Sequence, residues 1–232
     1  DVDPQANATT GLGVGDVTVS VDDALAEERP GSLATCLVAS GWRLPNGVRP
    51  MVAPSTPRLA SREVQLATDP IGAQDRLRVS LKGLDADLVL IDCPPSLGLL
   101  TVNGLFAADA ALVVTEPAAW ATDGVAQILR TIARISDRRG RPLRCAGIAV
   151  NRVGRTRDAT YWHDQLVAAY PELVHPPVHQ RAAVAEAAAR SLPLAALGAR
   201  PGAAEAMAEL DTLLERVLRP HAHPEGGLDA EL

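Results

Sequence analysis

The residues best placed for chemistry are carboxylates at the ends of apolar runs. Asp92 follows Leu88-Val89-Leu90-Ile91, a run with no polar alternation, and Cys93, Pro94 and Pro95 come directly after it. An unbroken apolar run reads as a strand covered on both faces, as in a parallel sheet between helices. Proline cannot extend a central strand, so the strand stops at Asp92. That places the carboxylate at the carboxyl end of a central strand, where open α/β sheets bind their ligands. One hard oxygen there, near a magnesium ion directly or through water, is the Walker B arrangement. The other reading of the same residues is an Asp that caps the next loop.

Two more carboxylates open the chain, in Asp1-Val2-Asp3-Pro4-Gln5-Ala6-Asn7-Ala8-Thr9-Thr10-Gly11-Leu12-Gly13. Asp-Pro is a common turn dipeptide, so residue types alone leave Asp3 open between a turn former and a group that polarises water. Asn151 ends the apolar run Cys145–Val150, and its amide offers both a donor and an acceptor. The histidines have no metal-ligand spacing. His221 and His223 lack further ligands nearby, and His163 and His175 read as surface or packing residues. Cys36, Cys93 and Cys145 are scattered and odd in number, which fits reduced core thiols rather than a disulfide framework. No histidine is placed by sequence to activate Cys93.

The elements that must position these groups follow from pattern. With 232 residues the chain can form one large α/β domain. It is 47% hydrophobic and only 3% aromatic, so the core is built from Ala, Val, Leu and Ile. A formal net charge of −6 excludes coating of nucleic acid by bulk charge, so any DNA contact has to be a local patch. Almost all positive charge is arginine, Lys82 being the one lysine. No apolar run approaches the ~20 residues of a membrane span, and no signal peptide is present. Residues 16–28 read as a short strand or helix, 48–53 as a strand, and 55–67 and 71–84 as helices. The apolar run before Asp92 is followed by a helix over 96–108 and a strand over 110–115. Thr122 or Asp123 can cap the next helix, whose inner face is Val125, Ile128, Leu129, Ile132 and Ile135. A strand over 145–150, a helix over 161–170 and a short strand over 173–178 come next. Helices over 181–189 and 201–218 close the domain, taken as residues 1–219, and 220–232 reads as a disordered tail. Alternating strands and helices predict an α/β, three-layer, mostly parallel twisted sheet with helices on both faces.

The opening motif, together with Asp92-Cys93-Pro94-Pro95-Ser96-Leu97-Gly98-Leu99-Leu100-Thr101-Val102-Asn103, resembles the ParA/Soj family of partition ATPases. These are deviant-Walker P-loop proteins related to MinD, and the resemblance runs from residue 1 to about Arg219. It implies ATP and magnesium as cofactors, Asp3 as the catalytic group that holds the attacking water, and Asp92 and Asp1 on the magnesium side. It places Asn151, Pro177 and His179 by the adenine. Pro176-Pro177-Val178-His179-Gln180-Arg181 departs from the family pattern, His179 standing for an Asn and Val178 for an Arg, which weakens the adenine assignment. Arg181 and Arg190 become the DNA candidates. The implied partners are a ParB-like protein, non-specific nucleoid DNA and a second copy in an ATP-dependent dimer, in the cytoplasm and without a membrane. The family's Gly-rich phosphate loop with Lys-Ser/Thr is not in the sequence: Lys82 precedes Gly83, and no lysine follows Gly11, Gly13 and Gly15 in place. The expectation is a chain that begins one strand and one helix late, lacking Walker A. The competing readings are a non-enzymatic relative that binds DNA or a partner, and a MinD-like positioning ATPase. The acidic, Gly-bearing tail argues against the latter.

Overall fold

The computed structural model describes residues 1–44, 46–69 and 71–219. Its best-formed sheet pairs β3 (Ala110–Thr115) with β4 (Arg144–Val150) in parallel. The crossover between them is α6 (Ala121–Arg138), whose inner residues Val125, Ile132 and Ile135 pack on the sheet. Residues 173–180 run parallel to β4 as a third, interrupted strand. Backbone hydrogen bonds join Ile148 N to Leu173 O and Val178 N to Val150 O, while Pro176-Pro177 keeps a continuous ladder from forming. Further on lie α7 (Arg157–Ala169), α8 (Ala182–Ala189) and α9 (Ala203–Leu218).

The register of β3 on β4 slips between Ala111 and Leu112, so that Leu112 faces Gly147. The slip accommodates a buried histidine. His175 Nε2 lies 2.7 Å from the Ala146 carbonyl, so that nitrogen carries the proton. A Cβ on Gly147, whose φ is +113°, would come within 2.3 Å of the same nitrogen. His175 is thus a packing residue, as its sequence context suggests.

The amino-terminal half is built on a second core. It contains α1 (Asn7–Gly11), α2 (Val21–Ala26), a short antiparallel pair of β1 (Val38–Ala39) with β2 (Met51–Val52), α3 (Arg58–Ala67) and α4 (Arg76–Ser80). Leu25, Leu59 and Leu100 are fully buried there. α5 (Leu99–Ala107) serves both cores: Leu100 belongs to this one and Leu105 to the core of β3 and β4.

One expectation is overturned. Leu88–Ile91 forms no regular strand and is not covered on both faces. Leu88, Val89 and Leu90 are 51%, 44% and 78% exposed. Among the described residues, the one backbone–backbone hydrogen bond of this stretch is at its end, where Val2 N donates to Asp92 O at 2.8 Å. β3, the next strand along the chain, pairs with β4 alone and presents Val114 at 59% exposure. Burial on both faces needs a ladder partner on each side, and among the described residues the run has none beyond Asp92 O. Smaller differences are of length: the helix read over 71–84 contracts to Arg76–Ser80, and Trp120, not Thr122 or Asp123, precedes α6. The tail read as disordered lies outside the described residues.

These environments set opposite costs for apolar residues. Leu90→Ser should change the unfolding free energy by no more than about 0.5 kcal/mol, because the side chain already meets water. Leu100→Ala should cost about 2–5 kcal/mol through the cavity it leaves. Urea denaturation of both variants checks this, and equal losses would mean that residues 88–91 are buried in solution.

Candidate functional site

Residues 1–3 and Asp92 together form one rim of carboxylates. Residues 1–3 lie between the second strand of the small pair and the Asp92 stretch: Asp1 N donates to Ala53 O at 3.1 Å and Val2 N to Asp92 O at 2.8 Å. Asp1 and Asp3 therefore come beside Asp92, close enough for the Asp3 charge to act on its carboxyl.

The three aspartates have different surroundings. Both oxygens of Asp1 accept hydrogen bonds. Oδ1 takes the Asp3 N–H at 3.0 Å, and Oδ2 takes the Thr9 N–H at 2.9 Å and the Thr9 hydroxyl at 2.8 Å. Thr9 Oγ1 in turn accepts from Ser55 N at 2.9 Å, and the Ser55 hydroxyl donates to Asp3 O at 2.7 Å. Asp1 thus anchors the turn that carries Asp3, a role that residue types alone did not reveal. In that turn Ala6 sits at φ +55°, a strained value for a residue with a side chain. Asp3 uses Oδ1 to accept from Gln5 N at 2.9 Å, and among the described residues Oδ2 has no hydrogen-bond partner. The Asp92 carboxylate also has none. Its surroundings push its pKa upward: burial is the main cause and the charge of Asp3 adds to it, while the α-amino group of Asp1 opposes. Cys93 beside it is pushed up to about 11 by burial and then by Asp92, so it is a thiol at neutral pH and no nucleophile.

Asn151 follows β4 and its Oδ1 accepts from Arg152 N at 2.9 Å. Arg152 has a left-handed backbone, φ +57°, and pairs with Glu116 at 3.0 Å. Pro177 is half-buried in the interrupted strand. His179 is committed to α9, its ring and its backbone N–H both bonded to Glu209. Arg181 pairs with Glu209 as well and is largely covered. Burial works against the charged form of Glu209, yet hydrogen bonds from Arg181 and His179 hold its carboxyl below the usual range. Of the two arginines expected to meet DNA, Arg190 is the exposed one, paired with Glu186 at 3.3 Å.

A contact without any motif ties the Asp3 turn to the carboxyl-terminal half. Trp42 donates its indole N–H to Gly11 O at 2.8 Å and to Ser191 O at 3.0 Å. The Ser191 hydroxyl donates to Thr10 O at 2.8 Å. Gly41 N donates to Leu12 O at 2.8 Å, and a Cβ on Gly41 would lie 2.8 Å from Gly13 O, so the two loops touch through glycine backbone. Among the described residues, the bonds from Ser191 to Thr10 and from Trp42 to Ser191 are the only hydrogen bonds between residues 1–104 and 110–219. A lone Trp and a lone Ser in loops carry no periodicity, so nothing in the sequence pointed to them.

A parallel sheet with helices and carboxylates at its carboxyl edge is the layout of a P-loop NTPase fold. The AAA domain family profile matches residues 1–145, and the chain belongs to that family, in its ParA/Soj-type branch. It is 37% identical over 152 residues to the chromosome partitioning protein ParA of Myxococcus xanthus, covering 64% of this chain and 51% of that protein. A structure from Mycobacterium smegmatis described as cobyrinic acid a,c-diamide synthase, with bound ATP analogue and magnesium, is 31% identical with a TM-score of 0.66. That match covers 82% of this chain and 76% of the other. Apo McdA of Cyanothece reaches a TM-score of 0.79 over 94% of this chain and 85% of its own, at 18% identity, a likeness of fold alone. The chain spans about half the length of the curated relatives it matches.

Trp42→Phe keeps an aromatic ring but removes the shared donor, leaving two carbonyls short of a partner. It should cost about 1–3 kcal/mol in urea denaturation and speed hydrogen exchange at Gly13 and Val14. Unchanged exchange there would show that the indole does not hold the loop. Asp92 supplies a pH test. An acid whose folded pKa is raised favours folding below its unfolded pKa and loses that contribution as pH rises through the folded value. Asp92→Asn should therefore raise the melting temperature at pH 7, and the gain should fade as pH falls below about 4. A gain that stays constant down to pH 3 would refute the shift.

Proposed function

We propose that this chain is the carboxylate-bearing part of a ParA-type ATPase that segregates plasmid or chromosomal DNA. The observation that carries this reading is the convergence of Asp3 and Asp92 on one rim, joined through the Val2–Asp92 hydrogen bond. The family membership and the nucleotide-bound Mycobacterium smegmatis relative support it.

The carboxylates suit the metal and water side of such a site. Magnesium is held by one or two carboxylate oxygens plus water, and Asp92 offers two oxygens that no group among the described residues occupies. Asp3 offers Oδ2, held in place by the Asp1–Thr9–Ser55 network, to orient a water and take its proton. Asp1 supports this arrangement from behind and holds the Asp3 backbone rather than the ion. Asn151 has amide donors to spare for a base edge, whereas His179 is committed to Glu209. The phosphate side is different: no Gly-rich loop ending in Lys-Ser/Thr occurs in the 232 residues, so the residues present do not supply a phosphate cradle. ATP with magnesium, when bound, supplies the electrophilic γ-phosphate and screens its charge.

In this reading ATP closes a homodimer that binds nucleoid DNA without sequence preference, and a ParB-like partner on the cargo stimulates hydrolysis. The protein works in the cytoplasm, in keeping with described helices none of which is long and apolar enough to cross a membrane. Arg190 is the better presented of the two arginines expected at DNA.

Two measurements test the enzymatic reading. The 232-residue chain alone should show no magnesium-dependent ATP turnover. In a chimera that places a phosphate-binding loop ahead of Asp1, Asp3→Ala should cut turnover by a factor of about 10²–10³, or ~2.7–4 kcal/mol, and leave nucleotide binding near the parent value. Parent-like turnover in that variant would make Asp3 a turn residue only.

A further inference from the structure

Several exposed arginines of this acidic chain are neutralised locally: Arg29, Arg58, Arg141, Arg152, Arg190 and Arg200 each hold a carboxylate. Others, Arg43, Arg155, Arg157 and Arg216, have no ion-pair partner among the described residues. Three unpaired arginines of α6 are set apart from these by standing together on one helix. Arg130, Arg134 and Arg138 are all exposed, and none of them has an ion-pair or hydrogen-bond partner among the described residues. They recur every four residues, so they stand in a row on one helix face. That face is opposite the one that buries Val125, Ile132 and Ile135. Like charges at this spacing destabilise a helix. Arg138 gains something from the helix carboxyl terminus, but Arg130 and Arg134 are too far from it. Asp123 and Asp137 are the acids of this helix, both exposed, and neither pairs with the row.

From this we infer that the outer face of α6 is a docking surface for the phosphate backbone of nucleic acid. The proposal takes nucleic acid as the ligand from the function proposed above and names a surface that the family motifs did not; it concerns contact by a single copy at low salt, ahead of the ATP-closed dimer. Eight residues of helix place the row along about 12 Å. Over that length a single DNA strand offers three to four phosphates. Guanidinium groups suit phosphate oxygens through paired N–H donors.

Two other anionic partners fit the face less well. A membrane-surface helix needs an apolar face to bury in the lipid, and the apolar face of α6 is used up by the sheet. A protein partner usually requires an aromatic or apolar anchor at the centre of its contact, and the row has none. Net charge is −6, so the attraction is local and strongest at low salt.

The test is a salt titration of binding to a fluorescent mixed-sequence 24-base-pair duplex, without nucleotide, from about 20 to 200 mM salt. The triple variant Arg130→Ala, Arg134→Ala, Arg138→Ala should bind at least tenfold more weakly at low salt. Its log–log salt slope should be flatter by about 2–3, at ~0.9 per lost phosphate contact. The triple lysine variant should keep most of the affinity and melt with the parent, and the triple alanine variant should melt no lower than the parent, because the residues face outward and their mutual repulsion is removed. A parent that fails to bind the duplex at 20 mM salt overturns the proposal. So does an unchanged slope in the triple alanine variant, or loss of binding through Arg155→Ala with Arg157→Ala instead. Equal or tighter parent binding to anionic phosphatidylglycerol vesicles or to polyglutamate, lost with the same triple change, overturns the nucleic-acid assignment. ATP is absent throughout, so a failure of the ATPase reading would not change these outcomes.

Discussion

Helix α5 has no polar face to give to water, and the layout of the domain depends on that. Its sequence, LLTVNGLFA, is apolar nearly all round, the mark of a helix enclosed by protein. Leu100 enters the amino-terminal core and Leu105 the core of β3 and β4. Its buried polar residues are paired: the Thr101 hydroxyl donates to Ser96 O, and Asn103 accepts from Leu77 N and donates to Ala73 O and Leu99 O, so no buried amide group is left unpaired. The close fit extends to Gly104, where an added Cβ would meet Cys93 Sγ at 2.6 Å. Asp92 lies just ahead of this helix, and β3 just after it. The position of the Asp92 carboxylate is therefore fixed from behind by packing, and from the side by the hydrogen bond from Val2.

The elements most legible in the sequence are those with a clean period that pack against described neighbours. β3 was read at its observed bounds, and β4 and α6 within a few residues. Each has a clean period and buries against neighbours in the same chain. Leu88–Ile91 was read by the same rule and came out differently, because an apolar run reports the environment it suits and not the ladder it finds. The parallel α/β class was legible for a similar reason: alternation of strands and helices survives local differences. At the rim, motif types brought Asp1, Asp3 and Asp92 together, but roles depended on geometry. Only coordinates show that the Asp1 oxygens are turned onto Thr9 and the Asp3 backbone. Likewise Arg181 and His179 have the types that phosphate and base contacts use, yet both are held by Glu209, thirty and twenty-eight residues from them respectively for His179 and Arg181.

Charge is arranged as deliberately as apolar surface. Asp22 is buried and meets Arg58 and Arg62, and Asp23 binds the Ser20 backbone. Burial disfavours the charged form of Asp23, but the Ser20 and Arg58 hydrogen bonds lower its pKa. Such pairs fix α2 against α3. Arg139 acts without any carboxylate: its guanidinium donates to Leu105 O at 2.6 Å and to Pro142 O at 3.2 Å, closing the end of α5 onto the loop after α6. Where arginine serves structure in this protein, it is bonded to a carboxylate or to carbonyls.

The indole of Trp42 bears on how the chain melts. Each half has a core of its own, and two cores unfold as one only to the extent that something crosses between them. Apolar crossing is concentrated on α5, while polar crossing, among the described residues, comes down to Ser191 and its partners Trp42 and Thr10. Cooperativity in this domain is therefore held at two points far apart in sequence. One is greasy and insensitive to geometry. The other is directional, and it belongs to the same loop that follows Asp3.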